Sequence, residues 1–184
     1  MKEKSELLKK FQRKYSHHIS AGISFHTIKW IRENSEFDFD VYLTSKGKNL
    51  QRDLCWNQQQ KESLIFTILR NQKINHIVVI QVRDSGRDFK DKYFFKVIDG
   101  KQRLTTVFAF IDNEFPIVID GVEYYFKNLP EDCQKQIEGY DFTWNVHYHY
   151  EDQPITDDIL IDLFEDCNFL GTPQDKNHLD YLRQ

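Results

Sequence analysis

The chain has 184 residues, of which 40% are apolar and 15% aromatic, and it carries a formal net charge of −4 with a pI near 6.0. That is enough apolar material for a single packed domain. The acidic balance argues against a constitutive nucleic-acid binder while leaving room for a local basic pocket, and no apolar run approaches the roughly 20 residues that cross a bilayer.

Residues 3–18 read as an amphipathic helix, with Leu7, Leu8, Phe11 and Tyr15 on one face and Lys and Arg on the other. This N-terminal appendage, residues 1–20, has a basic face that is either simply solvated or turned to an acidic partner. It contains no apolar stretch of the signal-peptide kind, so a cytoplasmic location is expected. Ala21-Gly22 breaks the pattern. Ser24 is then expected to cap a second helix reaching Asn34, with Phe25, Ile28 and Ile31 inward. Residues 37–43 alternate as a short strand, and residues 45–49 form a polar loop with Lys46 and Lys48 around Gly47. That loop is either plain or overhangs the turn at residues 99–103. Asn57 and Gln60 have capping-box spacing for a helix over 58–70, whose buried stripe is Leu64, Ile65, Ile68 and Leu69. Residues 77–82 are almost continuously apolar, as in a strand covered on both faces. Residues 84–91 make a charged turn, and residues 93–98 return as a strand, in a hairpin by loop length or alternatively in parallel.

The strand ends in Asp99-Gly100-Lys101-Gln102-Arg103, and Leu104, Val107, Phe108 and Ile111 continue at helical spacing. A strand that passes at once into a helix aims the free N–H groups of the first helical turn at one point, which favours an anion. Gly100 admits a ligand close to the backbone, and Lys101 and Arg103 add positive donors. The plainer alternative is an Asp-Gly turn with Asp99 as a cap. A second Asp-Gly, Asp120-Gly121, reads as an ordinary two-residue hairpin. Pro130 and Gly139 frame a short helix. Residues 143–150 form an alternating strand whose His147 and His149 could ligate a metal from one face. With no third ligand at suitable spacing, an exposed or hydrogen-bonded pair is expected instead. Thr156 starts a helix to about Cys167, and a last helix is predicted over 173–182. Cys55, Cys133 and Cys167 are widely spaced and read as reduced thiols. Trp56, Phe66, Ile68, Val79, Phe95, Val97, Leu104 and Phe108 are the expected core.

The segment VIDGKQRLTT resembles the DGQQR motif of a large prokaryotic domain family that includes the N-terminal halves of GmrSD-type modification-dependent restriction enzymes. Gln51-Arg52 followed by Trp56 is similar to the family's QR-x-x-x-W block. Phe164 with Asn168, and then Gly171-Thr172-Pro173, is similar to its late F-x-x-x-N segment and Gly-rich turn. The blocks run in the family's order over about residues 24–182, in a single domain of residues 1–184. The resemblance implies an α+β (mixed α/β) fold of the ParB/sulfiredoxin-like kind, a small mixed sheet with flanking helices.

It also implies nucleotide binding and NTP hydrolysis, in the sensor half of a restriction or anti-phage system. No P-loop signature occurs, so such an enzyme would be of a different type. On this reading Asp99, Gln102 and Arg103 are catalytic, and Gln51, Arg52, Gly100, Lys101, Arg103 and Thr105 bind the nucleotide phosphates. Asp99 would hold Mg²⁺ or orient a water, no metal site built by the protein alone is expected, and Arg52 and Arg103 would open onto one electropositive pocket. Lys101 departs from the family, which has Gln there; a lysine binds phosphate but accepts no hydrogen bond. Many members carry an HNH-type nuclease domain after this one, and none is legible here. The alternative function is therefore a non-catalytic regulatory module that binds a nuclease partner or DNA.

Overall fold

The computed structural model describes residues 20–43, 47–51, 53–83, 92–150 and 155–169. The expected helix over 3–18, the turn over 84–91 and the helix over 173–182 lie outside the described residues, as do Arg52 and residues 171–173. The fold is mixed α+β, built on a five-stranded sheet in the order β1-β9-β5-β6-β2. Strand β1 (Ser20–Thr27) pairs antiparallel with β9 (Asp141–Tyr150), and β9 pairs parallel with β5 (Ile77–Arg83). Strand β5 pairs antiparallel with β6 (Tyr93–Asp99), as the hairpin reading expected, and β2 (Ser35–Asp38) joins β6 in parallel.

Both faces of the sheet are covered. On one face lie α1 (Ile28–Asn34), α2 (Gln58–Leu69), α3 (Lys101–Ile111) and α4 (Glu131–Glu138), packed on Ile77, Val79, Phe95, Val97 and Trp144. On the other lie α5 (Asp157–Phe169) and the short pair β3 (Tyr42–Leu43) and β4 (Lys48–Asn49), packed on Val78, Ile80 and Ile98. This two-sided cover is why residues 77–80 are all apolar and fully buried. The capping box of α2 forms as its spacing implies: Asn57 Oδ1 accepts the Gln60 N–H at 2.9 Å, and Gln60 Oε1 accepts the Asn57 N–H at 3.0 Å. Strands β7 (Ile117–Ile119) and β8 (Val122–Tyr124) make the hairpin expected around Asp120-Gly121.

Several expectations are corrected. Ser24 caps no helix; it lies within β1 opposite Trp144, and Thr27 Oγ1 takes the capping role by accepting the Trp30 N–H at 3.1 Å. Phe25, expected inside, is 64% exposed. The inward positions of β1 are Gly22, Ser24 and His26, which lie opposite the larger Val146, Trp144 and Phe142. The strand expected over 37–43 stops at Asp38, whose carboxylate accepts the Asp40 N–H at 3.0 Å and turns the chain. Pro130 stands one position ahead of the first helical residue of α4. Trp56, Phe66 and Phe108 are half-buried at the margin of the core, and Phe110 is the fully buried aromatic of α3. His149 is buried and His147 half-buried, which removes the exposed alternative for the pair and leaves the hydrogen-bonded one open. Burial pushes the His147 imidazole below its ordinary pKa, against the opposing charge of Asp166. No group of three or more potential metal ligands occurs among the described residues.

Candidate functional site

The site begins with an irregularity in β6. Pairing with β5 slips between Val78 and Val79, so that Val79 faces Val97 while Val78 faces Asp99. Ile98 is the extra residue of this bulge, which bends the strand end and re-aims Asp99. The Gln51 side-chain amide donates to the carbonyls of both Val97 and Ile98. Gln51 therefore satisfies the backbone that the bulge frees, and it acts on the site by holding its floor.

Gly100 comes next at φ 111°, the left-handed region that favours glycine. A Cβ there would stand 2.5 Å from Ile77 Cδ1, so the turn also needs the absent side chain. Helix α3 then starts at Lys101 with no side-chain cap, and its first backbone bond runs from the Leu104 N–H to the Gly100 carbonyl. The N–H groups of the first turn head a helix anchored in the core by Leu104, Val107 and Phe110. Each of these side chains contributes about 1.5–3 kcal/mol by burial.

Every polar side chain at this turn is engaged. Arg103 donates to Asp99 Oδ2 at 2.6 Å and to the His76 carbonyl at 3.2 Å, while its Nε is buried with no partner among the described residues. The Lys101 side chain is 10% exposed, and its ammonium donates to Asp40 Oδ1 at 2.9 Å. Hydrogen bonds from Lys101 and then Asn49, together with the Lys101 charge, hold the Asp40 carboxyl below its ordinary pKa. Gln102 is committed to the neighbouring loop: its Nε2 donates to the Asp53 carbonyl at 2.8 Å and its Oε1 accepts the Cys55 N–H at 3.3 Å. Thr105 Oγ1 donates back to the Lys101 carbonyl at 2.7 Å, within the helix.

Of the residues singled out from the sequence, Gln51, Asp99, Gly100, Lys101, Gln102 and Arg103 line one cleft of about 200 Å³, together with Cys55, Trp56 and Phe164. Thr105 is not part of the cleft wall, and Arg52 lies outside the described residues. The expected meeting of Arg52 and Arg103 in one electropositive pocket involves a residue outside those described; Lys101 and Arg103 are each paired with a carboxylate. Asp40 was missed. The alternation of residues 37–43 placed it on a strand face, and nothing local shows that its partner is 61 residues away. Asn49 ties this part together, donating to Asp40 at 3.0 Å and accepting the Gln51 N–H at 2.9 Å. The far wall is α5, where the Cys167 thiol is pushed up to about 12 by burial and by the charges of Asp99 and Asp166, and so stays protonated.

A magnesium ion held by protein ligands alone does not fit the cleft. Among the described residues its wall offers one carboxylate, Asp99, already paired with Arg103. A magnesium ion arriving with a polyphosphate does fit, since such ions need only one or two protein carboxylates beside phosphate and water.

Comparison with known proteins gives one finding. The profile of the family described as GmrSD restriction endonuclease, N-terminal domain, matches residues 43–181. No curated protein and no solved structure matches the chain.

Proposed function

The chain belongs to the GmrSD restriction endonuclease N-terminal domain family, and we propose that its cleft at the head of α3 binds a magnesium–nucleoside triphosphate within a restriction system directed at foreign DNA. The observation that carries this reading is the uncapped first turn of α3, opening onto a cleft walled by Lys101, Arg103 and Asp99. Backbone N–H groups at a helix start, an ammonium and a guanidinium together suit phosphate oxygens. Lys101 is paired with Asp40 and Arg103 with Asp99. Asp40 is 62% exposed, so a phosphate could compete with it for the Lys101 ammonium. Release of Arg103 from Asp99 would give the guanidinium to the phosphates and the carboxylate to the ion that accompanies them. Asp99 would then hold that ion or orient the attacking water, with Arg103 offsetting charge that develops on the transferred phosphoryl group.

The position of Gln102 favours a second reading, binding without turnover. Both ends of its amide are held by the Asp53–Cys55 loop, which leaves it poorly placed to orient a water. The domain would then serve as a nucleotide-gated module for a nuclease partner or DNA, in a cytoplasmic setting. Phosphate release with each NTP and Mg²⁺ separates the two readings. The hydrolytic reading expects release that falls about a hundredfold in Arg103→Ala. Lys101→Gln, which restores the family's usual residue, is expected to raise release while leaving nucleotide binding similar or weaker. Equal release by wild type and Arg103→Ala would overturn the assignment of hydrolysis to this cleft.

A further inference from the structure

Strand β6 has a second cavity at its other end. Tyr93 lies six residues from Asp99, roughly 20 Å along the strand at about 3.3 Å per residue. There a cavity of about 230 Å³ is walled by α1 and by strands of the sheet. Its wall is mostly rings: Trp30 stacks on His26 with centroids 4.1 Å apart and lies 5.6 Å from Tyr93, while Phe95 and Trp144 are 5.8 Å apart. Among the described residues no carboxylate, lysine or arginine lines it. Burial pushes the His26 imidazole below its ordinary value, against the pull of Asp141, a shift that favours its neutral form.

Three residues of the wall each have a polar atom buried without a hydrogen-bond partner among the described residues: Ser24 Oγ, Ser35 Oγ and Trp144 Nε1. Trp144 is 1% exposed and Ser35 6%. An indole N–H can only donate, whereas a hydroxyl can donate and accept. Unsatisfied buried groups of this kind are uncommon, and three in one cavity suit a ligand that pairs with them.

We propose that this cavity binds a flat, uncharged heteroaromatic ring of the nucleobase class, whose carbonyl oxygen accepts from Trp144 Nε1 and whose polar edge pairs with Ser24 and Ser35. Ring faces provide stacking, and the absence of charge disfavours a phosphate or an ammonium group. The volume lies below the roughly 300–1,000 Å³ of pockets for larger ligands, which suits one ring system and not a whole nucleotide. Its position at the opposite end of β6 makes it a second site, independent of the phosphate reading of the α3 cleft. The ring could come from a free nucleoside or from an unpaired base in a single strand.

The three tryptophans report on the two sites separately, because Trp30 and Trp144 line this cavity while Trp56 lines the α3 cleft. In the ¹⁵N-labelled full chain, with indole resonances assigned by Trp→Phe variants, deoxynucleosides are expected to shift Trp144 and Trp30 and leave Trp56 in place. Shifts with deoxynucleosides identify the free base as sufficient. Shifts only with a short single-stranded oligodeoxynucleotide identify the base within nucleic acid. No shift of Trp144 with either probe, or a shift of Trp56 alone, overturns the proposal. Ser24→Ala and Ser35→Ala should each weaken the interaction about three- to tenfold, and unchanged affinity in both would overturn it equally. Inorganic tripolyphosphate should move Trp56 only, and its failure to do so would count against the α3 cleft without touching this cavity.

Discussion

The two Asp-Gly pairs of this chain occupy opposite structural worlds. At Asp120-Gly121 both residues have positive φ, 51° and 79°, the turn is exposed, and a Cβ on Gly121 would meet nothing within 4 Å. That is the two-residue hairpin turn whose twist suits its strands. At Asp99-Gly100 only the glycine is left-handed, a Cβ would strike Ile77, and the chain passes from a bulged strand into a helix. The dipeptide is the same, so the residues on its C-terminal side decide the outcome. Val122-Glu123-Tyr124 continues at strand period, whereas Leu104, Val107 and Phe110 set a helical stripe that buries itself against the sheet. Tertiary packing thus turns one Asp-Gly into a loop tip and the other into the floor of a cleft.

If that contrast is right, the largest difference lies in the elements C-terminal to the turns. Phe110→Ala should cost about 3–5 kcal/mol in chemical unfolding, while the exposed Val122→Ala should stay within about 0.5 kcal/mol; similar losses would erase the distinction. The turns themselves come next. Gly100→Ala combines left-handed strain with overpacking and should cost about 2–4 kcal/mol, against about 1–2 kcal/mol for Gly121→Ala, where strain alone acts. A Gly100→Ala protein with an unshifted urea midpoint would show that the turn tolerates a side chain. The smallest effect concerns the ion pair beside the cleft. The Asp40 carboxyl is held below its ordinary 3.8 by Lys101, so its contribution to stability is present above that value and is lost as pH falls through the lower folded value. Asp40→Asn should lower stability slightly at neutral pH, leave it unchanged at acid pH and so flatten this part of the acid limb; an identical acid limb in the variant would mean the pair is not formed in solution.

How much of this was legible in the sequence depends on the range of the interaction. The capping box of α2, the doubly covered strand at residues 77–80 and the strand-to-helix passage at Gly100 are local, and each was readable from spacing. Strand β1 was not. Its outward positions are Ile23 and Phe25 and its inward ones are Gly22, Ser24 and His26, the reverse of the usual pattern, because the facing β9 residues are large. Ile28 and Ile31 then lent helical spacing to residues that are extended. At the cleft, the sequence marked Asp99–Arg103 as a cluster. It did not show that Arg103 would hold Asp99, that Gln51 would cap a bulge 46 residues away, or that Lys101 would find Asp40. Those partners depend on how β3, β4 and β6 meet in space.

The central claim is that the helix start after Gly100 is a polyphosphate site, and calorimetry tests it most directly. With Mg²⁺ present, a nucleoside triphosphate should bind the wild-type chain more tightly than the matching monophosphate, because each added phosphate meets the same donors. Arg103→Ala should weaken triphosphate binding about ten- to hundredfold, the loss of one charge-assisted contact of roughly 1.5–3 kcal/mol. No heat of binding for any nucleoside triphosphate, or equal affinity in wild type and Arg103→Ala, would contradict the account.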